Sequence, residues 1–212
     1  MKIFIDSAHV RDISLACATG LIDGVTTNPS LIAKTGRDPL DVYKEIVDLG
    51  VEDVSMEVSA GFAEDMTKEG IQLYATFKEA CTVKLPMTVD GLMACRNLSE
   101  IGIKTNVTLV FNAAQALLAA KAGATYVSPF VGRIDDQGYA GLEVVRSIAG
   151  LYCQKNLDTQ VLAASIRTPH RAVRSFYNGA GIVTMPPKVF WQMYEHVLTD
   201  AGLRIFEEDS KM

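Results

Sequence analysis

At 212 residues, 49% hydrophobic and 21% charged, the chain has a globular composition and enough length for one sizeable core, which excludes a disordered segment. A formal net charge of −5 with no basic run argues against a general nucleic-acid binder, although a local cluster of arginines can still bind small anions in an acidic protein. Cys17, Cys81, Cys95 and Cys153 form no CxxC pair and stand beside no paired histidine, which points to reduced thiols and away from a structural zinc.

The opening segment, Met1-Lys2-Ile3-Phe4-Ile5-Asp6, lacks the apolar region and cleavage site of a signal peptide. No later apolar stretch is long enough to span a bilayer, so a cytoplasmic protein with no membrane partner is predicted. Residues 2–5 read as a first buried strand. Further strand-like runs follow at 24–26, 53–58, 82–85, 105–110, 125–128, 160–164 and 182–184. Between them lie stretches with apolar spacing near that of a helix, at 39–49, 63–79, 90–101, 112–122 and 142–155. Asp90 is placed to cap the helix after the fourth strand, and Thr168-Pro169 puts proline just inside the start of another. Gly50, Gly102 and Gly123 stand where helices should stop. Residues 201–209 form a short amphipathic stretch beyond the eighth unit.

Strict alternation with short connections implies βαβ units and a parallel sheet. An open doubly wound sheet carries a glycine-rich turn after its first strand, but here that turn is Asp6-Ser7-Ala8-His9. No linker divides the chain, and eight units instead predict a single-domain (β/α)8 TIM barrel, whose active site lies at the C-terminal ends of the strands. Those ends carry Asp6, Thr26 and Asn28, Glu57, Lys84, Asn106 and Thr108, Ser128 and Arg133, Ser165 and Arg167, and Thr184.

Lys84 lies in the apolar run Cys81-Thr82-Val83-Lys84-Leu85-Pro86. In isolation such a lysine can bury its stem and send its head to water. Buried instead, it loses hydration, its ammonium is disfavoured, and the neutral amine can attack a ketone to form a Schiff base. Asp6 and Glu57 close apolar strands, where an unpaired carboxylate is costly. Each either sits in a satisfied buried network, hydrogen-bonded to neighbouring backbone or paired with Lys84, or moves protons for the lysine. In the second case Glu57, through a water shared with Thr108, assists dehydration of the carbinolamine, and Asp6 serves a substrate hydroxyl. Arg133 and Arg167 are either surface ion-pair partners or, together with Ser165 and a helix start, a phosphate pocket near the end of the barrel. Arg171 and Arg174 fall on the solvated face of that helix, and Asp135-Asp136 on the cap of another. His9, His170 and His196 have no metal-ligand spacing; the methionines and Trp191 read as packing. No nucleotide or metal cofactor is indicated.

The segments Gly24-Val25-Thr26-Thr27-Asn28-Pro29-Ser30-Leu31 and Val83-Lys84-Leu85-Pro86-Met87-Thr88 resemble the hallmarks of the transaldolase family. Asn106-Val107-Thr108-Leu109-Val110-Phe111 and Ser128-Pro129-Phe130-Val131-Gly132-Arg133 extend the likeness over nearly the whole chain. The resemblance implies a class I aldolase barrel with its Schiff-base lysine on the fourth strand. It makes Lys84 the nucleophile, Asp6 the acid/base, and Glu57 and Thr108 the holders of a catalytic water. Asn28 would position the donor's hydroxyls, Thr26 and Phe130 would be substrate-binding, Asn106 would line the same pocket, and Ser128 would add a donor contact. Arg133, Ser165 and Arg167 would hold the phosphate of a sugar phosphate. The length resembles the short subfamily, which also contains fructose-6-phosphate aldolase. Those aldolases differ at Glu57, Phe130, Asn106 and Arg167, where this chain is similar to transaldolases. The implied reaction is reversible transfer of a dihydroxyacetone unit from sedoheptulose 7-phosphate to glyceraldehyde 3-phosphate. Release of free dihydroxyacetone and non-catalytic sugar-phosphate binding remain the alternatives. The resemblance also implies homo-oligomers, pentamers or decamers, in which the C-terminal segment crosses to a neighbouring subunit.

Overall fold

A computed structural model describes residues 1–59 and 61–211. Its strands are β1 (Lys2–Asp6), β2 (Gly24–Thr26), β3 (Val54–Glu57), β4 (Cys81–Pro86), β5 (Thr105–Val110), β6 (Tyr126–Pro129), β7 (Gln160–Ala163) and β8 (Ile182–Met185). All pair in parallel and in chain order, and β8 closes onto β1. The helices are α1 (Val10–Cys17), α2 (Pro29–Thr35), α3 (Pro39–Asp48), α4 (Ala63–Phe77), α5 (Val89–Glu100), α6 (Ala113–Lys121), α7 (Val131–Asp136), α8 (Gly141–Lys155), α9 (Pro169–Tyr177), α10 (Pro187–Gln192) and α11 (Val197–Asp209). This is the (β/α)8 barrel predicted from the alternation. Four of its short helices, α1, α2, α7 and α10, are not among the helical stretches that apolar spacing predicts.

Period-two alternation sorts each strand's side chains between the two cores. In β4, Cys81, Val83 and Leu85 belong to the large cluster between sheet and helices, whereas Thr82 and Lys84 bond to groups from neighbouring strands. The barrel's inside has a smaller apolar floor of Phe4, Tyr126, Leu162, Ala164 and Ile182, with Phe4 and Tyr126 edge-on at 6.4 Å. A methyl added to Gly24 would stand 2.6 Å from the Phe4 ring, so glycine makes the room the ring fills. At the same level buried Asp53 accepts from Thr82 Oγ1 at 2.8 Å and the Tyr126 hydroxyl at 2.7 Å, satisfying a carboxylate that would otherwise be costly to bury.

Between Val107 and Val110 the β5–β6 register shifts, and Leu109 takes a left-handed backbone at φ 61°. The extra residue returns Val110 to the sheet–helix core while Thr108 stays on the inside, as a bulge does. The helix ends follow capping chemistry with one correction. Thr88, in extended conformation, caps α5 by accepting from Gly91 N at 3.0 Å. Asp90 is already inside that helix, and its Oδ1 instead accepts from Ala63 N at 3.0 Å, serving α4, whose own N-cap Phe62 offers no side-chain acceptor. Thr168 and Pro169 open α9 as predicted. Gly50, Gly102 and Gly123 follow the helix ends at positive φ. Among the described residues no helix is long and apolar enough to cross a membrane.

Candidate active site

Lys84 is 4% exposed, and its Nζ lies 2.9 Å from Glu57 Oε2 and donates to the Thr27 carbonyl at 2.8 Å. The register explains the first contact, since Glu57 and Lys84 are direct partners across β3 and β4. The Glu57 carboxylate supplies the compensation that a buried ammonium requires. Thr27's carbonyl was not foreseen, because every residue carries one and only the fold says which points inward.

Asp6 lies within the electrostatic reach of Lys84 and Glu57. Thr26 Oγ1 donates to Asp6 Oδ1 at 2.8 Å and also meets Thr184 Oγ1 at 2.7 Å. Burial pushes the Asp6 carboxyl above its ordinary range, more than the nearby Lys84 charge and the Thr26 hydrogen bond lower it, and Glu57 adds to the rise. A carboxyl so placed can exchange a proton nearer neutrality than a solvated one.

Asp6, Thr26, Asn28, Lys84, Thr108, Ser128, Phe130, Arg133, Ser165 and Thr184 all line one cavity of about 120 Å³ at the C-terminal ends of the strands. The volume is well below the range of roughly 300–1,000 Å³ usual for larger ligands, so it suits a fragment of a few heavy atoms with the remainder outside. Asn28 accepts from Leu31 N with Oδ1 at 2.9 Å while capping α2, which leaves its amide NH2 for the cavity. Thr108 Oγ1 is the buried side-chain polar atom without a hydrogen-bond partner among the described residues. An orphan of that kind is costly unless water or ligand meets it. Ser165 enters the cavity from a left-handed backbone, φ 58°, a conformation unusual for a residue with a side chain. Arg133 lies over the Phe130 ring at 5.1 Å, and Phe130 meets Phe111 edge-on at 6.0 Å.

Three candidates sit elsewhere than expected. Asn106 is fully buried and does not line the cavity: its amide donates to Ser55 Oγ at 3.1 Å and its carbonyl accepts from Ser128 Oγ at 2.7 Å. It braces Ser128 from beneath. Glu57 reaches Lys84 from behind and borders a separate groove of about 830 Å³ among α2, α3 and α4. Arg167 lies outside the cavity lining, with both Nη groups held by the Asp136 carboxylate. The acidic pair after β6 therefore divides its work. Asp135 does cap the next helix, accepting from Gly141 N at 3.0 Å, but Asp136 is an arginine partner. Arg171, expected on the solvated face, lies 3.2 Å from Asp135, because α9 packs its first turn toward the end of α7.

The family described as Transaldolase/Fructose-6-phosphate aldolase matches residues 3–212. The chain is 48% identical over 209 residues to a probable transaldolase of Symbiobacterium thermophilum, covering 99% of this chain and 96% of that protein. It is 51% identical over 209 residues to a probable transaldolase of Cereibacter sphaeroides, covering 99% and 95%. A probable transaldolase of Bartonella tribocorum is 50% identical over 211 residues, covering 100% and 97%. This barrel, with a buried lysine paired to Glu57 and acting on the Asp6 carboxyl, and matched over residues 3–212, belongs to the transaldolase/fructose-6-phosphate aldolase family.

Proposed function

We propose that the protein is a transaldolase that carries a dihydroxyacetone unit between sugar phosphates on Lys84. The observation that carries this is the lysine itself, buried on the wall of a small polar cavity with Glu57 at 2.9 Å and a raised Asp6 carboxyl close by. In the sequence of steps, Lys84 gives up one proton to its carboxylate neighbours and attacks C2 of the donor ketose. The resulting carbinolamine loses its hydroxyl as water, with the proton delivered by Glu57 through a water at the Thr108 hydroxyl, leaving an iminium ion. Asp6 takes the proton of the C4 hydroxyl as the C3–C4 bond breaks. That bond's electrons move to the iminium nitrogen and form an enamine, while the aldose phosphate departs. A second aldose phosphate binds, the enamine attacks its aldehyde carbon, and Asp6 returns the proton. Hydrolysis of the new iminium frees the ketose and restores Lys84. The phosphate rests at Arg133, Ser165 and Arg167, and Thr26, Asn28 and Ser128 orient the three-carbon unit.

Phe130 favours transfer over release of free dihydroxyacetone. A ring without a hydroxyl on the cavity wall cannot pass a proton to the enamine, which therefore survives until an acceptor arrives. Borohydride reduction in the presence of fructose 6-phosphate is the test. A reduced three-carbon adduct mapped to Lys84, absent in Lys84→Ala, is expected. No adduct would leave a sugar-phosphate binder. Release of dihydroxyacetone without acceptor, as fast as transfer, would make the protein an aldolase.

The working form proposed is a cytoplasmic homo-oligomer. No residue of α11 is buried, and Val197, Leu198, Leu203, Ile205 and Phe206 lie exposed on it. Together with the subfamily resemblance, this supports docking of α11 on a second copy of the chain. Light scattering that gives only monomer at micromolar concentration would refute it.

A further inference from the structure

Asp136, the last residue of α7, receives both terminal nitrogens of Arg167. A guanidinium carries five N–H donors in a rigid plane, and a carboxylate gripping the two Nη groups leaves a second edge formed by Nε–H and an outer Nη–H. The location of that edge can be read from Gly132. A methyl built on Gly132 would stand 2.8 Å from Arg167 Nε and 3.0 Å from Ser165 Oγ. The arginine's unoccupied edge and the serine hydroxyl therefore flank the bare Cα of Gly132, and Ser165 lines the catalytic cavity together with Arg133. Any side chain at 132 would fill this cradle and would meet the Ser165 carbonyl at 2.3 Å.

The turn that presents Asp136 is itself fixed. Asp135 accepts from Gly141 N at 3.0 Å and pairs with Arg171 at 3.2 Å, tying the end of α7 to α8 and α9. Asp136 and Arg167 are about half-exposed, at 45% and 54%, so their pair contributes little to stability. A two-bond grip of low stabilising value, on an arginine beside the cavity, is better explained by what it orients.

We propose that Asp136 is a positioning residue for phosphate recognition: it holds Arg167 end-on so that the Nε edge, Ser165 and Arg133 together receive the phosphate of the incoming aldose. The proposal rests on Arg167 being a phosphate ligand, as assigned above. It makes Asp136 a determinant of preference for phosphorylated over unphosphorylated acceptors, acting through Arg167 and touching no substrate itself.

The experiment measures kcat/KM for glyceraldehyde 3-phosphate and for glyceraldehyde in the full-length protein and in Asp136→Asn, Asp136→Glu and Arg167→Ala. Asp136→Asn is expected to lower the ratio of the two by about tenfold or more, the loss appearing in KM for the phosphorylated acceptor. Competitive inhibition by inorganic phosphate weakens in step, and Asp136→Glu recovers part of both. Arg167→Ala lowers the ratio at least as far. A general folding defect reduces both acceptors alike and leaves the ratio unchanged, which a positioning role does not. An unchanged or raised ratio in Asp136→Asn, with the ratio lowered in Arg167→Ala, overturns the role of Asp136 and keeps Arg167 as the ligand. An unchanged ratio in Arg167→Ala overturns both.

Discussion

Removing either member of the Lys84–Glu57 pair should destabilise the protein by more than half of what removing both does. At 2.9 Å and an effective dielectric constant of about 20, the gross attraction is roughly 5–6 kcal/mol, most of it offset by desolvation of the two ions. Lys84→Met strands Glu57 beside Asp6 without their shared cation, and a cost of about 3–5 kcal/mol is expected. Glu57→Gln preserves shape and removes the charge. Its cost should fall below that range, at about 2–3 kcal/mol, because Lys84 keeps the Thr27 carbonyl and the field of Asp6. The double variant buries neither ion of the pair, so its loss should undershoot the sum of the single losses by about 2–3 kcal/mol. Urea unfolding at pH 7, followed by circular dichroism and by the single tryptophan, Trp191, gives all four corners of the cycle. Protomer concentration must be held constant, since assembly would shift every apparent stability. Additivity within about 0.5 kcal/mol would show that the two groups do not interact as a charged pair, and the proton route from Lys84 to Glu57 would fall with it.

Asp6→Asn should abolish transfer yet stabilise the fold at neutral pH. A carboxyl whose native pKa is raised contributes stability that is fully present below the ordinary carboxylate range and is lost as pH rises through its native value. The variant has no such loss, so its urea midpoint should exceed the parent's at pH 7 and the two should converge in acid; a lower midpoint at pH 7 would refute the sign. Thr108→Val removes a buried hydroxyl that has no partner among the described protein atoms, so unfolding should show no loss of stability, or a gain of up to about 1 kcal/mol, while turnover falls. A clear destabilisation would mean the hydroxyl serves the fold. Phe130→Tyr should raise acceptor-free release of dihydroxyacetone relative to transfer, measured by coupled reduction of the released ketone; an unaltered partition would remove Phe130 from the explanation of transfer.

Most of the barrel was legible because each strand announces itself twice, through a short β-branched run and through the helix that follows. The Asp90 correction shows where that legibility ends. A cap is a local device when the side chain precedes its helix, as at Thr88, but Asp90 serves a helix that begins at Ala63, 27 residues upstream. Nothing in local sequence can distinguish the two until the helices are side by side. Helices α1, α2, α7 and α10 are illegible for a different reason: at six to eight residues they are too short to display a helical period. The assignment of Asn106 to the pocket wall erred by one layer. A strand's period says that Asn106 and Thr108 share a face, but not which level of the barrel each occupies, and the level decides between contacting a ligand and bracing Ser128.

The candidate site was more legible than such limits would imply, and the parallel register explains why. In a closed parallel barrel, residues at corresponding strand positions become lateral neighbours. Asp6 opposes Thr26, Glu57 opposes Lys84, and Lys84 opposes Asn106. A list of polar strand ends is therefore already a partial map of contacts, and that map places a carboxylate directly beside the lysine. The same logic fails beyond the strands. Arg167 and Asp136 come from connections that no ladder aligns, so their pairing required the folded chain to reveal it. The surroundings of the lysine are thus specified by sheet geometry, which tolerates little change. In the proposed reaction, recognition of the rest of the substrate falls to loops and short helices, where one substitution at Gly132 or Asp136 is expected to alter the acceptor without disturbing the strand order.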